Sequence, residues 1–230
     1  MLRQMSRRAR LDAFLHDRLD DGLTELSDIL HPLEVPADHP STPLKPTEVA
    51  GILAKAPQLE DVEYNALLQY LQLTGRPYQA FYNLPHPRDA NILPPHAQQL
   101  LQIHRGECTF SCEKSHKGNS AIFFYNPLTQ THDTGFIQTI WSLPLEGLMQ
   151  TFLVVRPHQS LSGHEEGMAP FSHYPGFKTR IVDLAPSGAL VIIETSHIVT
   201  HLTTFQRPAR TYGISRESLV VCWALNRGRR

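Results

Sequence analysis

Three residues of metal-binding type fall at a regular interval, Cys108-x3-Cys112-x3-His116. Thiolate and imidazole are the ligands of a structural zinc site, which holds four of them tetrahedrally. His104 or His132 could supply the fourth. The spacing argues the other way. It lacks the two-residue knuckle of zinc sites. Cys108, Phe110 and Cys112 also alternate as along one strand, where a free thiol packs as a small apolar side chain. His197 and His201 would share a helix face. Their neighbours Ile198-Val199-Thr200 and Leu202-Thr203-Thr204 are β-branched or apolar, which favours a strand, and four residues of strand separate two imidazoles by more than one metal spans. His164-Glu165-Glu166 lacks the H-E-x-x-H spacing of metalloproteases and reads as a solvated loop. Cys222 lies beside Trp223 in an apolar run, an inert setting for a thiol. Asp133 and Asp183 fall at strand edges, with nothing in the pattern to bring them together. The chain has no G-x-S-x-G elbow, P-loop or Rossmann glycine pattern. These residues point to no catalytic centre, no metal and no cofactor.

Two sets of side chains could instead bind a partner. Tyr125, Trp141, Phe171, Tyr174 and Phe177 are aromatics of the kind that cage a cation when they converge, and otherwise pack in a core. With His173, which lies in the turn between Phe171 and Tyr174, the candidates for partner contact are Tyr125, Trp141, Phe171, His173 and Tyr174. Arg156, Lys178, Arg180, Arg207 and Arg227 would make a nucleic-acid surface if they formed one contiguous basic face.

The elements that must hold these residues change character along the chain. Residues 6–30 carry Leu11, Phe14, Leu15 and Leu19 at helical spacing, extended by Leu23 and Leu26. The basic start MLRQMSRRAR is followed at once by Asp12, Asp17, Asp20 and Asp21, so it reads as a solvated helix rather than a presequence. Five prolines between His31 and Pro46 mark a linker. A short helix is expected from Thr47 as N-cap to Ala56. A second is expected over 60–73, with Tyr64, Leu67, Leu68 and Leu71 on its apolar face and Thr74-Gly75 ending it. Residues 76–95, rich in proline, read as an irregular connector.

From about residue 100 the period becomes 2. Strands are expected at 100–104, 107–112, 120–125, 135–142, 149–156, 179–184, 189–194, 197–204 and 219–225. Lys117-Gly118-Asn119, Asn126-Pro127, Leu145-Glu146-Gly147 and Pro186-Ser187-Gly188 are the turns between them. Many short strands of this kind predict an α+β chain: N-terminal helices, then a mainly antiparallel small β-barrel. The divisions are 1–46 (helix and linker), 47–95 (helical subdomain and connector) and 96–230 (the β domain). Loops 157–178 and 205–218 are its natural recognition surfaces.

A formal net charge of −1 over 230 residues gives no global field for nucleic acid or membrane. Three cysteines, an odd number, favour a reducing compartment. No apolar run is long enough for a membrane helix.

Several stretches carry a family resemblance. They are Gly118-Asn119-Ser120, Phe124-Tyr125, Thr134-Gly135-Phe136-Ile137 through Trp141, FLVVRPHQSLS at 152–162, the turn Pro170-Phe171 to His173-Tyr174-Pro175, and ETSHIVTHL at 194–202. From residue 60 onward the chain resembles the C-terminal regions of KDZ-type transposase-associated proteins of basidiomycete fungi. Over 130–226 the order of elements is similar to that of the bromo-adjacent homology (BAH) domain, a partly open β-barrel with loop insertions. The resemblance implies a nuclear, non-enzymatic module derived from a mobile element, binding a protein or chromatin partner. A nucleic-acid-binding accessory of a transposase complex is the alternative. It implies no small-molecule substrate.

Overall fold

The computed structural model describes residues 43–106 and 108–223. The expected helix over 6–30, most of the proline linker and Arg227 with the basic C-terminus lie outside the described residues. The described residues belong to one compact unit. Its elements are α1 (Pro46–Lys55), α2 (Asp61–Leu73), β1 (Tyr78–Ala80), β2 (Asn91–Leu93), β3 (Gln98–Leu100), β4 (Gln102–Arg105), β5 (Cys108–Ser111), α3 (Glu113–Ser120), β6 (Ala121–Asn126), β7 (Thr131–Leu145), β8 (Leu148–Ser160), α4 (Gly163–Gly167), β9 (Thr179–Pro186), β10 (Val191–Glu194), β11 (Ile198–Arg207) and β12 (Ser218–Trp223). The fold is mixed α+β with a mainly antiparallel sheet, as the change of period predicts.

Helix α2 forms where the apolar stripe lies. Tyr64, Leu67, Tyr70 and Leu71 are buried on one face. The helix ends as its sequence dictates. The Thr74 hydroxyl donates to the Tyr70 and Leu71 carbonyls, and Gly75 turns left-handed at φ 81°. At α1 the cap is Lys45 rather than Thr47. Pro46 takes the first helical position, where its missing N–H is no loss.

Three expectations are corrected. The connector 76–95 contains a parallel pair, β1 with β2, too short at three residues each to show a period. Lys117-Gly118-Asn119 is not a hairpin turn but part of α3, which is kinked at His116. That helix has almost no apolar stripe, so its sequence gave no helical signal. One local and one long-range bond hold it: the Asn119 N–H donates to His116 Nδ1, and Gln138 on β7 donates to the Glu113 carboxylate. The 157–178 segment is not wholly loop, because β8 continues to Ser160 and α4 follows.

The main sheet has eight strands in the order β10-β8-β9-β12-β11-β6-β7-β3, and β7 also pairs with β8. Following the pairings from β8 through β9, β12, β11, β6 and β7 therefore leads back to β8. The long hairpin β7–β8 makes this possible. Its two-residue turn, Glu146-Gly147, has φ of 54° and 76°, the left-handed pair that matches strand twist. One part of each strand pairs within the circuit, and another carries an outer strand, β3 on β7 and β10 on β8. Gly135 of β7 lies against the β8 backbone with no room for a side chain. A Cβ there would lie 2.6 Å from the Arg156 carbonyl oxygen.

Cross-strand partners point to the same side, so register sorts the side chains. Ala121, Phe123, Thr134, Phe136, Arg156, Arg180, Val182, Leu202, Leu219, Val221 and Trp223 face one side, and the apolar ones cluster there. The opposite side of β6, β7 and β8 packs Ile122, Phe124, Ile137, Leu153 and Val155 with Phe110 of β5. Helix α2 covers the far part of the hairpin and shares a core with Trp141, Leu143, Phe152, Val154 and Ile192. Arg76, just past α2, fastens this layer by donating to Glu194 at 2.6 Å and Gln150 at 2.7 Å.

Candidate functional site

A cavity of about 410 Å³ opens where β6, β7, β9, β11 and β12 meet the segment after β8. Phe123, Leu202, Val221, Trp223 and Phe171 supply its apolar lining, and Thr134, Glu166, Lys178 and Arg180 its polar groups. Each strand residue is brought there by the register, through Phe123↔Thr134, Leu202↔Trp223 and Val221↔Arg180.

Helix α4 forms one wall. Ser162 caps it, accepting from the Glu165 N–H while the Glu165 carboxylate receives the Ser162 N–H. Arg180 Nε donates to Glu166 at 2.9 Å. Arg216 bonds Glu165 at 2.7 Å and Asp183 at 3.2 Å, so two ion pairs fasten α4 to β9 and the segment before β12. The hydroxyl–carboxylate and N–H–carboxylate bonds to Ser162, with Arg216 adding its charge, hold Glu165 below the usual carboxylate range.

Lys178 forms no ion pair among the described residues. Its ammonium stands 5.6 Å from the Trp223 ring centre, a cation–π contact. Its backbone is left-handed at φ 48°, a conformation that costs a non-glycine residue about 1 kcal/mol. Behind Thr134, His158 Nδ1 shares a hydrogen bond with the Thr134 hydroxyl at 2.9 Å, and its ring edge meets Phe136. Burial, helped by the positive charge of Arg180, pushes the His158 pKa down to about 4, so the ring is neutral at pH 7.

The sequence candidates separate. Trp141 is not at the cavity. It is 6% exposed in the α2 core, and its indole N–H donates to the Glu63 carboxylate at 3.0 Å. Phe171 lines the cavity and meets Tyr212 edge-on. His173, Tyr174 and Phe177 lie outside on the same segment. Tyr174 and Phe177, 61% and 63% exposed, contact each other at 5.6 Å. Tyr125 adjoins His132 and His197 near the end of β6. The five partner-contact candidates therefore form no single cage.

The basic set divides as well. Arg156, Lys178 and Arg180 gather on the cavity side, although Arg180 is paired. Arg207 is opposite Ser218, on the other face from Leu219 and Val221. It is also five residues along β12 from Trp223, roughly 17 Å at about 3.4 Å per residue.

Cys108, Cys112 and His116 do not assemble into a metal site, and among the described residues no three His, Cys, Asp or Glu side chains do. Cys112 caps α3 from a buried position, and His116 is occupied with Asn119. His201 stacks on Phe110 at 4.0 Å, and His197 Nδ1 accepts from the Glu194 N–H, so the two imidazoles serve separate structural bonds. Among the described residues no helix is long and apolar enough to cross a membrane.

Phe123, Thr134, Glu166 and Trp223 were not singled out from sequence. Their signal is the alternation Phe123-x-Tyr125, Lys178-x-Arg180 and Val221-x-Trp223. It becomes readable only when pairing shows which side each strand turns inward. Comparison of the chain with protein-family models, with curated proteins and with solved structures yields no match in any of the three.

Proposed function

We propose that the six-strand circuit is a small closed β-barrel of BAH-like kind, and that the chain is a non-enzymatic module binding a protein partner. The observation that carries this reading is the cavity where β6, β7, β9, β11 and β12 meet the segment after β8, on which Tyr174 and Phe177 are exposed. Exposed aromatics next to a concave, partly apolar site are the usual anchors of protein recognition. The polar wall is tied to itself, Arg180 to Glu166 and His158 to Thr134. That suits a shaped receptor better than groups poised to react. Closure also leaves β9, β11, β12 and β6 without free edges. The sequence resemblance extends the proposal to a nuclear partner and an origin in a fungal mobile element. The alternative, a nucleic-acid accessory, needs a continuous basic track. The separation of Arg207 from Lys178 speaks against it.

The test is quantitative capture from basidiomycete nuclear extract with the full chain as bait. Three baits are compared: wild type, the Tyr174→Ser/Phe177→Ser double variant, and a Val199→Ser control on an exposed part of β11. A protein retained by wild type and control, and lost with the double variant, is the expected result. Equal capture by all three, or steeply salt-dependent DNA binding unaffected by the double variant, refutes the reading.

A further inference from the structure

The cavity's charges do not balance. Of Lys178, Arg180 and Glu166, the last two pair with each other. The Lys178 ammonium stands over the Trp223 ring and forms no ion pair among the described residues. A resident cation on Trp223 leaves that ring unsuited to a second cation and leaves the site one positive charge in excess. The same position carries backbone strain. A glycine would adopt the left-handed turn at 178 freely, yet a lysine stands there. Thr134, Ser172 and Thr179 add uncharged polar groups, and Phe123, Leu202, Val221 and Phe171 with Trp223 make the apolar part of the lining. At about 410 Å³ the space is at the lower end of the roughly 300–1,000 Å³ range of ligand cavities. It suits one ring or branched side chain with a small charged head.

We propose that this cavity binds a carboxylate carried on an apolar group, with Lys178 as the partner of the anion and Phe123, Leu202 and Trp223 receiving the apolar part. The inference rests on the reading of the chain as a binding module and names the chemistry that its cavity takes. Two sources share that chemistry: a free aryl- or alkyl-carboxylic acid, and the C-terminal residue of a partner chain.

Titration of the full chain by calorimetry distinguishes them. The probes are 3-phenylpropionate, its neutral amide, the peptide acetyl-Gly-Gly-Phe as free acid and as amide, and inorganic phosphate. Each free acid that binds is expected to be at least about tenfold tighter than its amide, the loss that follows from removing one charged hydrogen-bond partner. Phosphate, lacking the apolar part, is expected to be weaker than either acid. A peptide acid tighter than 3-phenylpropionate assigns the site to a chain terminus, and the reverse assigns it to a small acid.

Lys178→Gly removes the ammonium and relieves the left-handed strain. It is expected to lose at least about tenfold in acid affinity without a fall in Tm, whereas Lys178→Arg, which keeps a cation able to pair with a carboxylate, retains the preference for acid over amide. Acid and amide binding alike, Lys178→Gly binding like wild type, or no probe binding at all overturns the proposal. None of these outcomes bears on the Tyr174 and Phe177 capture experiment, so the two ideas fail separately.

Discussion

The Glu63 carboxylate is a demanding test of how α2 is fastened to the sheet. It is buried, and it accepts from Thr139 Oγ1 at 2.8 Å and from Trp141 Nε1 at 3.0 Å. Glu63→Leu removes both acceptors. The Thr139 hydroxyl, half-buried, can turn toward water. The indole N–H cannot, and an orphaned buried donor costs about 1–3 kcal/mol. The leucine offsets part of this because burial already penalises the carboxylate and raises its pKa above the usual value. A net loss of about 2 kcal/mol follows. Glu63→Gln keeps an oxygen for Trp141 and lets Thr139 reverse its bond, so it stays within about 1 kcal/mol of wild type at pH 7. Trp141→Phe removes the orphan, so in the Glu63→Leu background it is less harmful than the sum of the singles, with a coupling of about 1 kcal/mol.

Urea unfolding followed by far-ultraviolet circular dichroism measures all five proteins: wild type, the three single variants and the double variant. A pH series adds a signed check. A carboxyl whose folded pKa is raised binds its proton more readily in the fold. Wild type should therefore gain stability relative to Glu63→Gln as pH falls from neutral through the folded pKa toward 4.5, and no more below it. Glu63→Leu within about 0.5 kcal/mol of wild type, or strict additivity with Trp141→Phe, refutes the reasoning.

Three further outcomes are expected. His158 gives the opposite pH sign: with its pKa lowered to about 4 from 6.5, the unfolded chain takes the proton first. Stability is complete above pH 6.5 and falls by about 3 kcal/mol as pH drops through that window, a slope that Glu63 opposes and that urea midpoints of a His158→Gln variant, set against wild type, isolate. Gly135→Ala places a Cβ 2.6 Å from the Arg156 oxygen and 2.8 Å from Val155 Cγ1, and lowers stability by about 1–3 kcal/mol or more, whereas Gly163→Ala, with nothing within 4 Å, leaves the midpoint unchanged. Arg216→Ala, at a half-exposed ion pair, lowers global stability by no more than about 1 kcal/mol, but it removes one of the ion pairs that hold α4, and limited proteolysis within 163–178 should accelerate.

What the sequence made legible follows from where its signals are local. The 3.6-residue stripe of Tyr64, Leu67 and Leu71 with a Thr-Gly stop specifies α2, and the apolar runs joined by Leu145-Glu146-Gly147 specify the β7–β8 hairpin. Helix α3 is illegible because it carries almost no buried apolar stripe and is held in part by a bond to Gln138, far along the chain. The parallel pair β1–β2 was too short to carry a period. The candidate site was half legible. Lys178, Arg180 and Phe171 could be named for their chemistry. Their neighbours could not, because Trp223 reaches Phe123 only through β11, and Glu166 meets Arg180 only through a cap at Ser162. Trp141 misled for a similar reason. An aromatic whose N–H finds a buried carboxylate 78 residues away looks, in sequence, like one free to face a ligand.

The cavity and everything proposed for it depend on β9 meeting β8, the thinnest seam of the circuit, with only His158↔Pro186 and Ser160↔Val182 in register across a bulge. Nuclear Overhauser contacts in the labelled full chain measure this directly. Cross-peaks between Ser160 and Val182 are expected, together with ring contacts between Phe123 and Trp223 at the opposite wall. Intact β7–β8 and β6–β7 contacts with no signal between β8 and β9 would mean an open sheet, and would contradict it.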